Sequence, residues 1–158
     1  MNSESFTRNI DIAASPAQVF CALTKDVSMW WTTSADDASV VGKSATFRFD
    51  KSYQIMLIKD LVPERRVVWD CVEQVHDNKT LSVHDEWVGT RLIWKIEPAS
   101  PGTRLTFVHQ GLVPQLECYE ICERGWDHYV ESLKSYLETG TGDPYRHSAK
   151  PGARGDRG

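Results

Sequence analysis

The chain has 158 residues, with 22 acidic against 18 basic side chains and a formal net charge of −4. That length predicts one domain with a core of real size, and the acidic balance argues against a nucleic-acid partner, which needs clustered basic charge. No apolar run approaches the roughly 20 residues of a membrane span; the opening residues carry Glu4 and Asp11 and no apolar block, so no signal peptide is read there and a cytoplasmic location is expected.

The elements follow from periodicity. Residues 5–12, SFTRNIDI, alternate apolar and polar and predict a first strand. Ser15-Pro16-Ala17-Gln18 then starts a short helix: Ser15 suits the cap, Pro16 the first helical position, and Gln18 completes a capping box. Val19, Phe20 and Leu23 give it a small buried face, and a second turn is expected through Met29-Trp30-Trp31. Residues 32–39, TTSADDAS, read as a polar loop. Five strands are expected next. ATFRFD (45–50) puts Ala45, Phe47 and Phe49 on one face, and QIMLIKDLV (54–62) is apolar enough to be buried on both sides. RRVVWDCV (65–72) aligns Val67, Trp69 and Cys71; RLIWKIE (91–97) aligns Leu92, Trp94 and Ile96; TRLTFVHQ (103–110) aligns Leu105, Phe107 and His109. Turns at Pro63-Glu64 and Ala99-Ser100-Pro101-Gly102 predict antiparallel neighbours. Residues 76–90 read as a long loop with a short strand near Trp87.

From Pro114 to Gly140 the apolar residues Cys118, Cys122, Trp126, Tyr129, Val130, Leu133, Tyr136 and Leu137 recur at the spacing of one helical face. Gly140 suits a left-handed stop, and Pro144 bars continuation. A face with one Trp and two Tyr must lie on something large and apolar. The strands supply it, so the prediction is an α+β fold. A curved antiparallel sheet wraps a long C-terminal helix, with two short helices after the first strand. The domain is expected over residues 1–144, and 145–158, poor in apolar groups, as a flexible tail from about Tyr145.

The chain also resembles the START-like helix-grip (SRPBCC) superfamily, in the branch named after the activator of the heat-shock ATPase chaperone. The residues that carry the likeness are SPAQVFCALT (15–24) with Trp30-Trp31, EWVGTRLIWKIEP (86–98), TRLTFVHQGL (103–112) and GWDHYVESLKSYLETGTGDP (125–144). The resemblance implies the same element order, with a cavity between sheet and last helix in which relatives hold apolar or aromatic molecules; some members are cyclases or hydrolases. The named co-chaperone carries a further domain for which these 158 residues have no room.

Alternation and helical spacing together bring Phe49, Trp69, Trp94, Phe107, His109, Trp126 and Tyr129 around such a cavity, and Trp30, of the Trp30-Trp31 pair, is read as lining its mouth. The expected function is binding of a small apolar or aromatic ligand there. His109 is either its polar anchor or a core histidine bonded to a neighbour. The alternatives are a chaperone-regulating interaction domain and a hydrolase- or cyclase-type enzyme using His109. No second acid or base is evident, and there is no G-x-S-x-G, phosphate loop or dinucleotide fingerprint, so catalysis is not required and no catalytic residue or cofactor is assigned. Gly125 is read as permitting close packing or a bend. The cysteines, Cys21, Cys71, Cys118 and Cys122, read as small buried hydrophobes. Cys118 and Cys122 share a helical face, but no further ligand motif completes a metal set.

Overall fold

Residues 5–146 are described by the computed structural model. Strand β1 (Ser5–Ile12) leads into helix α1 (Pro16–Thr24) and a single 3-10 turn at Val27–Met29. Six strands follow: β2 (Ser34–Ala35), β3 (Ser44–Phe49), β4 (Ser52–Val62), β5 (Arg66–Val75), β6 (Arg91–Pro98) and β7 (Thr103–Gln110). Helix α2 (Tyr119–Thr139) closes the order. The strands form one curled antiparallel sheet in the order β1-β7-β6-β5-β4-β3-β2. β1 thus returns to pair with β7, Phe6 opposite His109. This is the helix-grip architecture expected from the sequence.

Local chemistry sets the element ends. Gln18 N donates to Ser15 Oγ (3.2 Å) and Ser15 N to Gln18 Oε1 (2.9 Å), completing the capping box of α1. Gly140 takes φ 88° after α2, and its N–H bonds to Tyr136 O at 2.8 Å, a left-handed stop that glycine adopts without strain. α2 begins at Tyr119 with no side-chain cap of its own. The carboxylate of Glu86 fills that role, accepting from Glu117 N (3.0 Å) and Cys118 N (2.8 Å). Glu117 in turn accepts from Ser82 N (2.9 Å) and Val83 N (3.0 Å), so the 76–90 loop is tied to the helix start.

Three local expectations change. β4 is buried on one face only: Gln54, Met56 and Ile58 point inward, while Ile55 and Leu57 are half-exposed. Apolar content alone does not distinguish a strand covered on both faces from one with a greasy outer face. Trp87 lies in a turn, not a strand, with Thr90 N bonded to Trp87 O at 2.8 Å. β2 is a two-residue strand inside the expected polar loop, too short for any period to show.

The core is aromatic. All six tryptophans are buried, and Trp30, Trp31, Trp69, Trp94 and Trp126 are among its largest members. The expected tail start, Tyr145, is docked: Thr33 N bonds to its carbonyl at 2.9 Å and its own N–H to Trp31 O at 2.8 Å. Its hydroxyl bonds to Asp50. The rest of the expected tail, from residue 147, lies outside the described residues. No helix among the described residues is long and apolar enough to cross a membrane.

Candidate functional site

The eight residues expected around a cavity separate into two groups. Trp30, Trp69, Trp94, Phe107 and His109 are fully buried and fill the space between sheet and helix. Trp94 and Phe107 have ring centroids 4.2 Å apart, and Phe107 and Trp126 4.4 Å apart. Rings this close leave no room for a ligand between them. Phe49, Trp126 and Tyr129 instead line a cleft of about 910 Å³ at one end of this core.

His109 has no nitrogen to offer a ligand. Trp126 Nε1 donates to its Nδ1 at 3.1 Å, which places the proton on Nε2, 2.9 Å from Thr90 Oγ1. Thr90 Oγ1 passes the chain on to Trp87 O at 2.6 Å. Burial lowers the His109 pKa to about 3 and keeps the ring neutral. It is therefore a core histidine that ties the sheet to α2 and to the Trp87 turn, and the polar-anchor expectation is corrected. Of the other histidines, His76 lines the cleft, His128 is exposed and bonded to Asp143 O (3.0 Å), His84 bonds to Leu81 O (2.8 Å), and His147 lies outside the described residues.

Three stretches of the chain supply most of the cleft. The β3–β4 turn contributes Phe49, Asp50, Lys51 and Ser52, with Gln54 further along β4. The end of β5 and the loop after it contribute Gln74, His76, Asp77, Asn78 and Trp87. α2 contributes Ile121, Cys122, Gly125, Trp126 and Tyr129, while Trp31 and Tyr145 complete the lining. Its floor is apolar: Trp87 stacks on Trp126 at 5.6 Å, and Trp126 on Trp31 at 5.3 Å. Its rim is polar. Burial pushes the Tyr129 phenol up to about 12, with Asp143 adding to the effect, so it stays a neutral donor.

Trp87, Gln54, His76 and Gly125 are among the lining residues that the sequence reading did not place there. Trp87 lay in a stretch without periodicity. Gln54 is buried, and its Oε1 has no hydrogen-bond partner among the described residues; Gln74, its neighbour across the ladder, spends its own Oε1 on Trp87 N at 2.9 Å. His76 comes from the loop. Gly125 sits mid-helix, and a Cβ built on it would meet nothing within 4 Å among the described residues. Close packing, expected from the sequence, does not explain it.

Cys122 stands at one wall of the cleft, with Cys118, the residue just ahead of α2, beside it. Their sulfurs are 3.0 Å apart, and Trp87 Nε1 donates to Cys122 Sγ at 3.3 Å. These contacts hold the Cys122 pKa below an ordinary thiol's, while the bond to Cys122 and burial raise that of Cys118. Burial pushes Cys71 up to about 12, which leaves it inert.

Residues 13–138 match the family model described as activator of Hsp90 ATPase homolog 1-like protein. The chain is similar in structure to the Aha1 dimer from Colwellia psychrerythraea, with 28% identity and a TM-score of 0.75 over 88% of this chain and 99% of that one. A Mesorhizobium loti protein shares the fold at 18% identity and a TM-score of 0.70, covering 85% and 96% of the two chains. So does the AHSA1 protein from Silicibacter pomeroyi, at 15% identity and 0.64, covering 85% and 97%. No curated protein matches the chain.

Proposed function

The chain belongs to the family of activator of Hsp90 ATPase homologue 1-like proteins, and from that premise we propose that it binds a small, flat, largely apolar molecule in the cleft over Trp31, Trp87 and Trp126. The fold is compatible with ligand binding in a cavity. The observation that carries the reading is Gly125. A glycine in a helix interior costs about 1 kcal/mol relative to alanine. Here no neighbour among the described residues claims the space its missing side chain leaves, and that space belongs to the cleft. A helix that gives up stability to keep a wall flat has a use for the room. The ligand's polar end is assigned to Gln54, whose unpartnered Oε1 accepts an N–H or O–H. Aromatic faces below and one acceptor at the side are the usual make-up of a small-molecule site. Catalysis has no such support, because His109 is committed to the core. A chaperone-regulating role rests on the family alone and has no counterpart in the cleft.

The test is intrinsic tryptophan fluorescence titrated with a panel of planar aromatic compounds bearing a hydrogen-bond donor, on wild type and Gly125→Leu. Saturable quenching in wild type, weakened at least about tenfold in a variant that melts no lower, is the expected outcome. Equal responses from the two proteins would falsify the reading.

A further inference from the structure

Cys118 and Cys122 lie one helical turn apart, and the loop after β5 supplies a third donor that the sequence spacing does not show. His76 folds back over the start of α2, where its imidazole nitrogen and the two sulfurs all lie within 4.8 Å of one another. Both cysteines are buried and His76 is half-buried. Neighbouring groups are already committed. Glu86 holds the amides of Glu117 and Cys118 just ahead of α2, and Trp87 Nε1 donates to Cys122 Sγ.

We propose that His76, Cys118 and Cys122 form a binding site for a thiophilic d10 cation of the zinc class, with its fourth position facing the cleft. Two thiolates and one neutral imidazole are the donor set such an ion prefers, whereas hard cations take oxygen. Their two negative charges cancel those of a divalent ion, so the loaded site is neutral beside the aromatic floor. Binding releases one proton from each thiol to solvent. A tetrahedral ion with Zn–S bonds of about 2.3 Å needs sulfurs about 3.8 Å apart. The pair, now at 3.0 Å, opens by less than about 1 Å to accept it, and the third donor stands on a loop, not in a strand or helix. His76 and Cys122 line the cleft, which leaves the fourth position to water or to a donor atom of whatever enters, the arrangement of an open zinc site. The indole N–H of Trp87 is the outer contact that orients the Cys122 ligand.

The full chain, kept reduced, is titrated with Zn²⁺ against a chromophoric chelator and, separately, with Co²⁺ read by thiolate-to-metal charge-transfer absorption. One equivalent of each is expected, with the charge-transfer band present and a higher melting temperature in zinc. The double variant Cys118→Ser, Cys122→Ser abolishes the band and weakens zinc about 100-fold or more, and His76→Gln about tenfold or more. Cys21→Ser changes nothing. His76→Gln lies outside the core and keeps the question open to refutation if the double variant does not fold. No binding by the reduced wild type, binding unaltered in His76→Gln, or loss on His147→Gln instead would each overturn the proposal.

Discussion

At the scale of single residues, His109 makes a pH dependence. Its pKa is lowered from 6.5 to about 3 by burial, so between those values the unfolded chain binds a proton that the folded chain does not. The stabilising effect of the neutral ring is complete above pH 6.5 and is lost as pH falls toward 3, at about 1.4 kcal/mol per pH unit. Urea melts at pH 7 and pH 4.5 should therefore differ by about 2–3 kcal/mol more in wild type than in His109→Gln; an equal difference would mean the histidine is protonated in the fold. Gly125→Ala should raise stability by about 1 kcal/mol, read from the same melts, because the new methyl adds helix propensity and meets no neighbour. Alternation along 103–110 was enough to turn His109 inward. Its partners were not legible, because Thr90 and Trp126 stand 19 and 17 residues away and only the folded chain sets them at its two nitrogens. Gly125 was visible as a break in good helix formers, but the empty space beside it is a property of three segments at once.

Among the elements, α2 was the most legible. Its spacing predicted the buried Cys122, Trp126, Val130 and Leu133, and the structure buries them, with Tyr129 and Tyr136 at the margins. Trp126→Ala should cost about 3–5 kcal/mol, the range for deleting a large buried aromatic, and more of that should appear as faster unfolding if the helix docks late. Glu86→Ala should cost about 1 kcal/mol, as for loss of an N-cap, and show as faster amide exchange in the first turn of α2. The loop holding Glu86 was the least legible element. It has no hydrophobic period to read, and what fixes it are the distant bonds of Glu117 to Ser82 and Val83. Those pairings follow from where α2 starts, which the run of residues from Pro114 left open by several positions.

The whole molecule follows from one topological fact: an antiparallel sheet whose first strand closes beside its last, with the helices of one face filling the curl. Sequence faces were enough for this, since each strand needed only to know which side was apolar. They were not enough to locate empty space. The expected cavity lay behind Trp94 and Phe107, where the rings pack on one another; the cleft lies beyond them, where turn, loop and helix fail to meet. Amide exchange should be slowest in β5, β6 and β7, flanked by paired strands, and fastest in the two residues of β2 at the edge; fast exchange in β6 would contradict the pairing. The stacked indoles have an optical consequence. Trp87, Trp126, Trp31 and Trp69 follow one another face to face at 5.6, 5.3 and 6.0 Å. Transition dipoles so close couple, and light absorbed by one ring does not stay there. The ladder should give a paired-sign band in circular dichroism, and excitation from the deep ring Trp69 should migrate to the three that floor the cleft. A quencher resting on any of them would darken the whole set, which turns the protein's own emission into an amplified reporter of what sits at its mouth.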